Sequence, residues 1–94
     1  MICLNEKQVR RLKVGDEVIY KERNGQLNMY FYRAKVIGVY PYFVTLSVAA
    51  NKDIKDSYED ATNYFNTSYS YTDGVTFGGY KLYKETINDI LKKE

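Results

Sequence analysis

The chain has 94 residues and a net charge of +2, with 45% hydrophobic and 28% charged residues, an ordinary balance for one small domain spanning residues 1–94. It has one cysteine and no histidine, which excludes an internal disulfide framework, a thiolate-rich metal site and the usual catalytic triad. Aromatic residues reach 16% as eleven Tyr and four Phe, and tyrosine, an apolar body with a polar tip, suits half-buried and interfacial positions.

Charge is unevenly placed. Residues 1–49 hold eight Lys/Arg against four Asp/Glu, a net of +4; residues 50–73 are net −3 and residues 74–94 net +1. A mildly basic body thus carries an acidic insert, a pattern that hints at an electrostatic partner. The lone Cys3 points to a reducing, cytoplasmic setting. No apolar run reaches membrane-span length, and the N-terminus lacks a basic segment followed by an apolar core, so neither a membrane partner nor a signal peptide is expected.

In chain order, residues 4–12 predict a short helix capped by Asn5, with Leu4, Val9 and Leu12 on one face and Arg10 and Arg11 solvated. Lys13-Val14-Gly15-Asp16 ends it, Gly15 supplying a permissive backbone. A strand follows from about Glu17 to Arg23, then a hairpin turn at Asn24-Gly25, the pair that favours a type I′ turn. The second strand, Leu27 to Val39, is apolar on both faces early and alternating later. That pattern predicts a bulge or cover on both sides, with Gly38 at a bend. Tyr40-Pro41 turns the chain again. A third strand then places Tyr42, Val44, Leu46 and Val48 inward and Phe43, Thr45 and Ser47 outward.

The insert, about residues 50–73, is polar and acidic. Ile54, Tyr58, Ala61 and Phe65 follow helical spacing and Ser57-x-x-Asp60 resembles a capping box, so a helix is expected within 53–65 and a loop or irregular strand over 66–72. Asp73-Gly74 turns into a closing strand, Val75 to Tyr83, bulged at Gly78-Gly79; Lys84 to Lys93 reads as a terminal helix.

Three stretches carry a resemblance: Val14-Gly15-Asp16-Glu17-Val18, then Ala34-Lys35-Val36-Ile37-Gly38-Val39, then Tyr42-Phe43-Val44. Together they resemble SH3-like small barrels. More narrowly, Ala34 to Leu46 followed by Gly79-Tyr80-Lys81 looks like small uncharacterised proteins of bacterial mobile elements and phages. The resemblance spans residues 14–48 and 75–91 and leaves the insert without a counterpart. It implies an antiparallel small barrel; with the short terminal helices and the partly helical insert read above from spacing and caps, the expected fold is mainly β (α+β). The resemblance also implies a binding role, and it carries no catalytic residue.

No constellation points to catalysis, a cofactor or a metal. Cys3 lacks a histidine to activate it, and Asp16 and Glu17 point to opposite faces of a strand. Asp53, Asp56, Glu59 and Asp60 lack the calcium-loop spacing and read as a solvated face. Gly74, Gly78 and Gly79 do not form a phosphate loop. Two surfaces remain. Phe43, Tyr58, Tyr64, Phe65, Tyr69 and Tyr71 have the composition of an adaptable protein-binding surface, unless they pack back onto the barrel as a lid; an acidic helix beside them would also mimic nucleic acid. Lys21, Arg23, Arg33 and Lys35 with Tyr30 and Tyr32 offer cations for phosphates and rings for unpaired bases, unless the rings are core and the cations only solvate the surface. The expected function is therefore binding without catalysis, a protein partner ranking ahead of nucleic acid. Self-association through edge strands stands third.

Overall fold

A computed structural model describes residues 2–24, 28–50, 57–73 and 81–84, and of residues 22–24 and 28–30 the backbone alone. The described chain is mainly β: Ile2–Cys3 (β1), a one-turn helix Glu6–Val9 (α1), Glu17–Asn24 (β2), Asn28–Val39 (β3), Phe43–Ala49 (β4), a 3-10 turn at Tyr58–Asp60, Tyr64–Ser70 (β5) and Lys81–Lys84 (β6). The six strands form one antiparallel sheet in the order β1-β6-β2-β3-β4-β5.

Helix α1 forms where the capping chemistry predicts. Asn5 accepts from the Gln8 amide at 2.8 Å, and the Gln8 side chain accepts from the Asn5 amide at 2.9 Å. Leu4, Val9 and Leu12 are buried on one side. Gly15 then sits at φ +98°, a conformation a side chain would strain, and lets the Asp16 amide turn back to the Lys13 carbonyl.

The β2–β3–β4 meander matches its predicted course. Register pairs Asn24 with Asn28, so Asn24 belongs to the strand and is not a central turn residue; residues 25–27 lie outside the described residues. The bulge expected in β3 falls between Val36 and Gly38. At Gly38 a Cβ would stand 2.5 Å from Thr45 Oγ1 and 2.8 Å from Tyr40 Cε2. The tight approach there requires glycine. Gly38→Ala should cost about 1–3 kcal/mol by overpacking, and Thr45→Ala in the same chain should return part of it; thermal unfolding of the single and double variants checks both.

Alternation in β4 holds, with Val44, Leu46 and Val48 buried. Tyr42 does not face inward. It precedes the strand in the bend after Tyr40 and is 79% exposed, its carbonyl accepting from the Tyr71 amide.

The insert departs most from expectation. Within 57–65 the only helical piece is the 3-10 turn, Ser57 gives it no side-chain cap, and β5 has begun by Tyr64. Of the two expectations for 66–72, loop or irregular strand, the strand holds over 66–70, and it is regular. Its residues are β-branched, aromatic or short polar ones, which lose little in a strand and gain poorly from a helix. Phe65, Thr67 and Tyr69 register with Val48, Leu46 and Val44 on the core side. Helical spacing of Tyr58 with Phe65 was thus coincidental with an alternating pattern. Residues 51–56, the closing strand's 75–80 and the terminal helix from residue 85 fall outside the described residues; Lys84 itself lies in β6.

One core unites the sheet. It joins Leu4, Val9, Leu12 and Leu82 near one edge to Tyr69 and Tyr71 near the other, through Val18, Tyr20, Ala34, Val36, Val44, Leu46 and Val48. The sheet is therefore strongly curled, as its twist favours. Among the described residues hydrogen bonds do not close it into a barrel. Between the two edges lies a cleft of about 250 Å³ lined by Cys3, Leu4, Asn5, Glu6, Val9, Tyr69, Tyr71 and Lys81.

Candidate functional site

Strand alternation sorts the six aromatic candidates onto two faces. Tyr69 and Tyr71 point into the core, 2% and 5% exposed. The Tyr71 hydroxyl donates to the Tyr40 carbonyl, and the Arg10 guanidinium lies 4.6 Å above its ring. These two rings serve the core, and what little of them is exposed lines the cleft between the sheet edges. Phe65 shares their side of β5 but lies at the far end, 39% exposed, edge-on to Tyr32 at 6.1 Å.

On the outward side, Tyr64 is 43% exposed and packs at 4.9 Å against Tyr58. Tyr58 is held from three directions. Its hydroxyl donates to Ser47 Oγ at 2.7 Å, its carbonyl accepts from the Tyr64 hydroxyl at 2.7 Å, and Lys35 Nζ sits 4.8 Å above its ring. Lys35 also pairs with Glu59 at 3.3 Å. Tyr58 and Tyr64 therefore form an ordered aromatic corner where the 3-10 turn meets the start of β5, bordered by the exposed carboxylates of Glu59 and Asp60; Phe65, next along the chain, is exposed on the other side of the strand. Phe43 is not part of it. It registers with Ser70, six residues along β5 and about 20 Å away, and stacks on Tyr40 at 4.9 Å.

The basic candidates divide in the same way. Lys21, Arg33 and Lys35 lie on the outward face; Tyr32 lies on the other, packed against the core. Arg23 and Tyr30 are placed by backbone register alone, opposite Met29 and Glu22. The rings beside the cations are instead Phe31, opposite Lys21, and Tyr83, opposite Ile19, which approach each other at 5.9 Å. Lys81 registers directly with Lys21. Pairing across the hairpin brings Phe31 beside Lys21, as the sequence allows one to expect; Lys81 and Tyr83 were missed because cross-strand neighbours are not sequence neighbours. Burial raises the Tyr83 phenol above its usual value, with Cys3 adding to the effect. A depression of about 210 Å³ lies beside it, lined by Glu17, Val18, Ile19, Arg33, Tyr83 and Lys84.

No group of three or more metal-ligating side chains occurs among the described residues, and no helix among them is long and apolar enough to cross a membrane. No protein-family model, curated protein or solved structure matches the chain.

Proposed function

We propose that the chain is a non-enzymatic binding module, an SH3-like small barrel in the cytoplasm that acts through protein–protein contact as an accessory or inhibitor protein of a phage or mobile element. The observation that carries the contact is the aromatic corner. Tyr64 is large and exposed, Phe65 is exposed on the other side of the same strand end, and Tyr58 packed on Tyr64 is fixed by hydrogen bonds and a cation, so little rotamer freedom is lost on binding. The carboxylates of Glu59 and Asp60 favour a partner with a basic rim. The curl of the sheet around one core supports the barrel reading.

Because β5 supplies core residues, removing the insert would test folding, not binding. Point changes serve instead. Tyr64→Ser with Phe65→Ser should keep the far-ultraviolet spectrum and abolish partner capture, read by a photo-crosslinking residue placed at position 59. Capture of the same partner by the double variant would refute the corner as the contact.

A second reading has its own observation. Lys21 and Lys81 face each other across β2 and β6 beside Phe31, and neither forms an ion pair among the described residues. Like charges in register cost stability unless an anion joins them. Single-stranded nucleic acid satisfies both the cations and the rings. Anisotropy with labelled DNA and RNA at low and near-physiological salt tests this: salt-sensitive binding lost in Lys21→Glu/Lys81→Glu supports it, and absence of binding at low salt removes it.

A further inference from the structure

We propose that β5 is a self-association edge, along which two copies of the chain pair antiparallel about a two-fold axis at Asn66. The two edges of the sheet are unlike. Strand β1 is two residues long, which leaves little to pair with. Strand β5 is seven residues long, Tyr64-Phe65-Asn66-Thr67-Ser68-Tyr69-Ser70, with no charge, no proline and no break in its register with β4. Among the described residues, nothing between Tyr64 and Ser68 blocks this edge in the ways folded proteins use.

Its hydrogen-bonding pattern selects the register. The Ala50 amide donates to the Asn63 carbonyl and the Tyr71 amide to the Tyr42 carbonyl, so odd-numbered residues turn their backbone groups toward β4. Even-numbered residues turn theirs to the open side. Of these, the Ser70 amide is already taken by Asp73 Oδ2 at 2.7 Å. Tyr64, Asn66 and Ser68 remain, with no second strand among the described residues. Pairing about Asn66 uses these three positions and no others: Tyr64 of one copy opposes Ser68 of the other, and Asn66 opposes Asn66. Asp73 thus caps the edge and prevents a slip toward Ser70.

The occupant is a second copy because the edge complements itself. Every opposed pair from Tyr64 to Ser68 is neutral, so no like charges meet within the ladder. Phe65 lies beside the partner copy's Thr67 on the core side, and the exposed Asn66 amides meet across the axis. The result is an isologous interface that closes at two copies. This pairing does not rest on the aromatic-corner reading, which a monomeric result would leave standing.

Sedimentation of the full chain from micromolar to submillimolar concentration should show a reversible monomer–dimer equilibrium. Asn66→Lys, at an exposed position, should leave the circular dichroism unchanged and abolish the dimer by opposing two cations. In a Cys3→Ser background, Asn66→Cys should form an intermolecular disulfide on mild oxidation, since hydrogen-bonded antiparallel partners lie at about 5.5 Å between Cα atoms, within disulfide range. Ile37→Cys, exposed but off the edge, should not. A monomer at every concentration, a dimer that survives Asn66→Lys, or equal crosslinking at positions 37 and 66 would overturn the proposal.

Discussion

Replacing Tyr71 by alanine should destabilise the fold by about 3–5 kcal/mol, and by phenylalanine about 1 kcal/mol. The ring is buried between the end of β5 and α1, under Arg10, and its hydroxyl satisfies the Tyr40 carbonyl. Alanine leaves a cavity on one wall of the cleft between the sheet edges. Phenylalanine keeps the volume and orphans only the carbonyl. The two variants separate packing from hydrogen bonding, and urea unfolding followed by circular dichroism reads both. Were Tyr71 a contact residue, neither change would move the midpoint.

Leu46→Ala should cost about 2–5 kcal/mol, a large share of the roughly 5–15 kcal/mol that holds a domain of this size. Leu46 is fully buried at the middle of β4, registered with Val36 on one side and Thr67 on the other. Ladders on both sides pin the backbone, so the site cannot collapse to fill the void. At about 4–8 °C per kcal/mol, the melting temperature should fall by at least about 8 °C. An unchanged urea m-value would show that the native and denatured states keep their difference in exposed surface. The same substitution at exposed Ile37 should be nearly neutral, which calibrates the measurement.

The aromatic corner was only half legible. Exposure of Tyr64 and Phe65 against burial of Tyr69 and Tyr71 depends on which end of β5 the core reaches, a long-range fact. A helical reading of 53–65 and a strand reading of 64–70 both fit the spacing of the apolar residues, and pairing with β4 decided for the strand. The basic candidates show the same limit. Alternation along β3 separates Arg33 from Tyr32 and puts Phe31 with Arg33 by inspection, yet the other ring that flanks the cations, Tyr83, comes from β6.

Local chemistry determined what it could reach within a few residues: the Asn5 cap and its Gln8 partner, the turn at Gly15, the β2–β3–β4 meander, the bulge before Gly38 and the alternation in β4. Each is a contact between near neighbours or a period of the backbone itself, so the residues alone specify it. The order of the strands, the fate of the insert and the approach of the two sheet edges were decided by tertiary structure. Those depend on twist and on which apolar faces find each other across many residues, and strand pairing carries no local mark of its distant partner.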